Sequence, residues 1–353
     1  MDRIAKEVEF YEQKLKEANA KLYDQLRKRK PPKIKVIDQM ITDKFSIYHG
    51  DCVEVMWGIP SDSIHYTIFS PPFSNLFCYS ASSRDMGNST NEQFYDHFRY
   101  AISDMYRITM PGRLLSFHCS DIPAMKERDG YIGLKDFPGQ MIFLFQEAGF
   151  IYHSKVLIYK NPLLEATRTK AIGLAHKQVV KDSCRSRHGL PDYIVTMLKP
   201  GENPEPVSHG RGFEKYIGSL PEPKARKDDN PKLNKYSQKV FQRYADSVWM
   251  DINQTNTLNV KMARDKKDER HICPLQLDVI ARCLEYWTNP GDTVLSPFAG
   301  IGSEGYEALK MGRKFIGIEL KMSYYREMVN NLKSVANGRK GFDFKKNGKE
   351  EKD

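Results

Sequence analysis

The chain has 353 residues, 40% hydrophobic and 28% charged, with a net charge of +10. That length and apolar content support one large domain with an insertion, or two domains. No run approaches the ~18 apolar residues of a membrane span, and the acid-bearing start MDRIAKEVEFYEQ does not read as a secretion signal, so the expected location is cytoplasmic.

Residues 4–26 carry Ile4, Val8, Tyr11, Leu15, Ala18, Leu22 and Leu26, an apolar stripe at helical spacing that ends at the RKRK of 27–30 and Pro31-Pro32. The stripe predicts a helical extension (1–40) that docks on its own domain or on a second copy of the chain. From residue 45 strands and helices alternate. FSIYHG (45–50) and HYTIFS (65–70) read as buried strands around the short helical piece CVEVMWGI. A helix is expected from about Thr90 to Ile108, then a turn at Pro111–Arg113 into the strand LLSFHC. Residues 138–148 predict a helix and 151–160 a strand. This half (41–160) implies a parallel sheet with helices on both faces.

Residues 160–243 hold 17 Lys or Arg against 9 Asp or Glu, nearly all of the net charge. Clustered cations suit a polyanion such as double-stranded DNA. Within KQVVKDSCRSRHG, Lys177, Lys181 and Arg185 stand four apart and would form one basic helix face, with Arg187 beside it. Lys177 and Lys181 are expected on phosphates; Arg185 and Arg187 are expected on phosphates or on guanine edges. Residues 199–233, with six prolines, predict long loops. Regular structure resumes with a helix at 275–287, a strand at 292–298, a helix closed by Gly312, a strand at 314–320 and a last helix at 322–336. The polar tail from 338 is expected to be mobile. The six cysteines form no CxxC pair or metal-type cluster, so no metal is expected.

Two loops carry chemistry. At the end of the 65–70 strand stands Ser70-Pro71-Pro72-Phe73, where the prolines end the strand and stiffen the chain. Between a strand and a helix lies SPFAGIGSEG, in which Gly300, Gly302 and Gly305 fit G-x-G-x-x-G, with acidic Glu319 ending the next strand. That grammar brings a nucleotide to the backbone and its ribose to the acid. Pro297-Phe298 before the first glycine suits an adenosine ligand without a pyrophosphate better than a dinucleotide.

Together these loops resemble the signature motifs of the DNA amino-methyltransferases, catalytic motif first, as in their permuted beta group. The resemblance covers about 45–160 and 265–335. It implies an α/β, Rossmann-like, circularly permuted methyltransferase fold whose cofactor-binding half is 265–337 and whose target-recognition insertion is 161–264. It implies S-adenosyl-L-methionine as cofactor, with Phe298 beside it, Gly300 and Gly302 at its backbone approach, Glu319 on the ribose and Asp51 at the adenine end. His271 to Pro274 stand at the methionine-side motif, although His-Ile-Cys-Pro departs from the usual His-Pro. Ser70 and the Pro71 carbonyl would accept from the exocyclic amine of a flipped base, Pro72 would stiffen the loop and Phe73 would stack on the base. Serine in the first position resembles the cytosine-N4 enzymes and aspartate the adenine-N6 enzymes, so N4 is expected, with N6 the alternative. The absence of a Pro-Cys pair argues against cytosine C5 chemistry. An inactive DNA-binding regulator and a nicotinamide enzyme are the remaining readings. Double-stranded DNA is the expected partner, with a second copy of the chain or a cognate restriction endonuclease as protein partners.

Overall fold

The computed structural model describes residues 2–30, 33–72, 91–258 and 275–337. Among the described residues, helix α1 (Asp2–Arg27) docks through its last turns. Tyr23 and Leu26 are buried, the Tyr23 hydroxyl donates to the Leu144 carbonyl and Arg27 donates to the Ala148 carbonyl. The rest of the stripe, Ile4, Val8, Tyr11 and Leu15, stays exposed.

After it come β1 (Val36–Ile41), β2 (Phe45–Gly50), α2 (Cys52–Trp57) and β3 (Ile64–Phe69), then α3 (Asn91–Ile108) and β4 (Thr109–Cys119). β1 was not expected from its sequence; it is an edge strand, half exposed, and pairs antiparallel with β2. The Pro-Gly-Arg expected to turn the chain into β4 lies within that strand as an irregularity: the β3–β4 register slips between Ile64 and Tyr66. A small antiparallel ladder, β5 (Ile122–Ala124) and β6 (Gly133–Lys135), encloses α4 (Lys126–Asp129).

The chain continues through α5 (Phe137–Glu147), β7 (Ile151–Ile158), α6 (Pro162–Thr169), α7 (His176–Asp182) and β8 (Asp192–Leu198). Then follow α8 (Lys235–Tyr244), β9 (Val248–Trp249), α9 (Leu277–Trp287), β10 (Thr293–Ser296), α10 (Ser303–Lys310), β11 (Lys314–Glu319) and α11 (Met322–Ala336). Nine strands form one sheet in the order β1-β2-β11-β10-β3-β4-β8-β7-β9. The run β2, β11, β10, β3, β4 is parallel throughout, whereas β8 is antiparallel to both of its neighbours. Stretch 161–264, expected as the target-recognition insertion, supplies two strands of the sheet, β8 and β9.

Alternating residues send the two sheet faces into two cores. Phe69, Leu115 and Phe117 pack with α2, α3 and α5; Tyr66, Ile68 and Val294 pack with α9, α10 and α11. A smaller core of Phe213, Tyr216, Tyr236, Val240 and Tyr244 leans on Tyr286 of α9, so the proline-rich 199–233 segment is partly structured by tyrosines. Arg282, fully buried in α9, ties that module down by donating to both carboxylate oxygens of Asp251 at 2.9 Å. Among the described residues no helix is long and apolar enough to cross a membrane.

Candidate active site

β10 and β3 are neighbours, and the chain leaves them in opposite directions across the sheet, β10 toward β11 and β3 toward β4. That is the switch point at which open α/β sheets hold ligands beyond the strand ends. Both chemistry-bearing loops open there.

On one side is the glycine turn. Gly300 and Gly302 have φ of +52° and +85°, the left-handed region that glycine enters without strain. A side chain at Gly300 would meet nothing within 4 Å, whereas one at Gly302 would strike Met328 and one at Gly305 the Phe315 ring. Gly300 thus leaves an open cradle and the other two glycines serve packing. The Glu319 carboxylate is held by two backbone amides, Gly300 N and Lys321 N, each at 2.8 Å. Glu304, the second residue of α10, is buried, and burial with the nearby Glu319 charge pushes its carboxyl up to about 8. Asp51 sits at the end of β2, beside β11, and caps α2 by accepting from Val53 N (2.8 Å). The Phe298 ring is wedged between Phe69 and Phe98, at 5.7 and 5.9 Å between centroids, joining this turn to β3 and α3. His271 and Pro274 lie outside the described residues.

On the other side is the tip of β3. Ser70 is half-buried, Pro71 buried and Pro72 half-buried; Phe73 lies outside the described residues. Ser70 Oγ is 3.1 Å from Nδ1 of His118 on β4. His118 Nε2 lies 3.0 Å from Asp192 Oδ2, although its N–H does not point squarely at that oxygen. Lys160 Nζ donates to Asp192 Oδ1 at 2.5 Å. Burial alone would raise the Asp192 carboxyl, but the His118 ring and the Lys160 ammonium outweigh it and hold it below the usual carboxylate range. His118, Asp192 and Lys160 escape a reading along the sequence because only the sheet unites them: β8 runs beside β4 with His118 opposite Ile194, two residues from Asp192 on the same face. The one local signal is a histidine and an aspartate, each at the end of an apolar strand.

The basic residues expected to face DNA are not on one helix. α7 ends at Asp182, whose carboxylate accepts from Cys184 N, and Ser183–Arg185 form a separate 3-10 turn. Lys177 and Lys181 are exposed, Arg185 pairs with Asp182 at 3.2 Å, and Arg187 donates to Glu165 at 2.8 Å. Arg187 thus closes the α6–α7 lobe internally. Among the described residues His65, Glu205 and Asp292 have metal-like spacing. Their geometry suits a hydrogen-bonded cluster instead. His65 Nδ1 accepts from Thr293 N (3.2 Å), so its Nε2 hydrogen faces Glu205 at 3.1 Å, and Arg113 already pairs with Asp292.

Residues 64–330 match the sequence model of a family described as DNA methylase. Type II methyltransferase M.Cfr9I of Citrobacter freundii is 22% identical over 314 residues, 81% of this chain and 87% of that protein. The DNA adenine methyltransferase YhdJ of Escherichia coli K12 is 54% identical, over 45 residues, or 13% of this chain and 15% of that one. Among solved structures, a Thermus thermophilus protein assigned as a DNA modification methylase, complexed with S-adenosyl-L-methionine, superposes with a TM-score of 0.56 at 20% identity, covering 84% of this chain and 96% of that one. The cytosine-N4-specific PvuII DNA methyltransferase gives 0.54 at 16% identity, covering 86% and 97%. At such identities the superpositions speak to the fold, and they agree with the expected methyltransferase architecture.

Proposed function

This chain belongs to the DNA methylase family that methylates exocyclic amines, and on that premise we propose that it acts on the N4 amine of cytosine in double-stranded DNA. S-adenosyl-L-methionine is the cofactor, and the residues fit it. The open cradle at Gly300 admits a ligand against the backbone, and Glu319, fixed by two amides, presents its carboxylate at the rim of that cradle. Phe298 and Asp51 border the same strand ends. When bound, the cofactor supplies an electrophilic methyl group on a sulfonium.

The chain's own part is to receive a flipped base and to shape its amine. An exocyclic amine is a poor nucleophile because its lone pair is delocalised into the ring. Acceptance of its hydrogens by Ser70 Oγ and the Pro71 carbonyl turns the nitrogen toward tetrahedral geometry and frees that pair. The prolines hold both acceptors still, so little reorganisation is needed at the moment of transfer. The stacking role of Phe73 rests on the motif.

The observation that carries the N4 reading is a serine, not an aspartate, at the strand tip that faces the glycine turn. The PvuII enzyme, by its description, is cytosine-N4-specific, whereas YhdJ acts on adenine, so relatives lie on both sides. Mass spectrometry of nucleosides from DNA treated with the protein and cofactor decides: N4-methylcytosine is expected, and N6-methyladenine alone would replace this reading by the adenine one. Exposed Lys177 and Lys181 are assigned to backbone phosphates. The uncovered α1 stripe supports a second copy of the chain as a protein partner.

A further inference from the structure

Ser70 does not stand alone at the strand tip. Behind it runs a line of polar side chains, Ser70 to His118 to Asp192 to Lys160, drawn from the ends of β3, β4, β8 and β7 and separated by 3.1, 3.0 and 2.5 Å. All but Ser70 and Lys160 are nearly inaccessible, with His118 at 5% and Asp192 at 3% exposure. Burying an imidazole and a carboxylate together costs free energy unless they are paired, and a fold gains nothing in packing from the arrangement that apolar residues would not supply. The line also leads directly to Ser70 Oγ, one of the two oxygens assigned to the reacting amine.

We propose that His118 is the proton acceptor of the methyl transfer, acting through Ser70, with Asp192 and Lys160 as positioning residues. This rests on the amine-methylation reading above and holds for either base. Lys160 donates to the Asp192 carboxylate, which can only accept, so a neutral His118 ring is best served by a hydrogen on Nε2, 3.0 Å from Oδ2 though not squarely aimed at it. Nδ1 is then bare and accepts the Ser70 hydroxyl hydrogen. With its own hydrogen committed to the ring, Ser70 Oγ turns its lone pairs to the base and acts there as an acceptor only. The serine's ability to donate to a cytosine ring nitrogen is therefore not in use, and its bearing on the choice of base rests on the motif alone.

The balance of the step is complete without a further reactant. The amine lone pair forms the N–C bond while the C–S bond breaks with its pair to sulfur, leaving a neutral thioether. The nitrogen, now cationic, passes one proton to Ser70 Oγ as the serine hydroxyl proton passes to His118 Nδ1. The imidazolium is stabilised by Asp192 and later loses its proton to solvent. The charged groups that face the ring are Asp192 from β8 and, behind it, Lys160 beyond β7. Asp121 on the loop after β4 and Lys155 on β7 flank the same strand tip around Cys119.

The sign of the pH dependence follows. A ring already protonated donates Nδ1–H to Ser70, takes up one of its lone pairs and can accept nothing, so acid that protonates His118 stops the transfer. The test is single-turnover methylation of duplex DNA with tritiated S-adenosyl-L-methionine from pH 5.5 to 9. His118→Asn keeps an acceptor oxygen near the Nδ1 position but cannot take a proton. It is expected to slow the chemical step roughly 100-fold and to lose the acid limb of the profile, with cofactor and DNA affinities unchanged. A His118→Asn protein that transfers at the wild-type rate, or that keeps the wild-type acid limb, overturns the proposal. Nitrogen-15 NMR of the wild-type histidines gives an independent reading: the neutral ring of His118 is expected as the Nε2–H tautomer, and an Nδ1–H tautomer sinks the relay whatever the variant does. If the wild-type protein transfers no methyl to DNA, the amine-methylation reading falls, and this proposal with it. A normal wild-type rate with an unaffected variant removes the relay alone.

Discussion

Glu304 shows how the cofactor side of the site strains against stability. Its carboxyl is pushed up to about 8 by burial and by the Glu319 charge, so the folded chain prefers it protonated while the unfolded chain ionises it near 4.3. The stability it contributes is fully present below the unfolded value and is lost as pH rises through about 8. Glu304→Gln should therefore flatten the pH dependence of thermal stability between pH 5 and 8 and raise the melting temperature at pH 8.5, as read by calorimetry. Unchanged curves would mean that the side chain escapes to solvent. Glu319→Ala removes a carboxylate that two amides orient, and its loss should weaken S-adenosyl-L-methionine binding by about 1.5–3 kcal/mol, tenfold or more, in titration calorimetry. At this scale the sequence was informative where chemistry is contiguous. Ser70 and Gly300 declare themselves within short motifs. His118 and Asp192 do not, because they lie 74 residues apart and their neighbours are ordinary strand residues.

Among elements, α6, α7 and β8 teach the most about what a linear reading misses. The Lys177–Arg185 spacing is helical, but Asp182 accepts from Cys184 N and starts a tighter turn, so the regular basic face stops after Lys181. β8 was hidden by its surroundings: DYIVTML follows a basic, proline-terminated run and reverses the direction of the sheet, which the alternating strand–helix pattern gave no reason to expect. The parallel strands were legible because each is an apolar run followed by a helix. The corrected geometry separates the four cations. Lys177→Ala and Lys181→Ala should weaken binding to all DNA sequences alike and lower the salt slope by roughly 1 for each phosphate left without its lysine. Arg187→Ala should instead leave Glu165 unpaired and lower the unfolding temperature, with the salt slope unchanged. Fluorescence anisotropy across a salt series checks all three, and wild-type slopes in the lysine variants would move the phosphate surface elsewhere.

For the whole molecule the open question is what covers α1. Its stripe exposes Ile4 at 68%, Tyr11 at 67% and Leu15 at 54%, with Glu7, Glu9 and Glu12 toward its start and Lys21 and Arg27 toward its end. Two copies laid antiparallel would set Glu7 against Lys21 of the other and bury both stripes. Sedimentation velocity should show a dimer at micromolar concentration that Leu15→Lys converts to monomer without loss of melting temperature. A wild-type monomer would dismiss the pairing.

The Lys160–Asp192 ion pair also ties the neck of a loop. The lobe of residues 161–191 leaves the sheet at one partner of that pair and rejoins it at the other, and Ile158 already pairs with Asp192 in register. A segment whose two ends meet is an exchangeable cassette, since closing a shorter or longer loop across a fixed gap changes the entropy only slowly with length. Replacing 161–191 by a short turn should leave a folded protein that still binds S-adenosyl-L-methionine but has lost its grip on DNA. Grafting a foreign lobe between the same two residues should change which sequences are methylated while the chemistry beneath stays as it was.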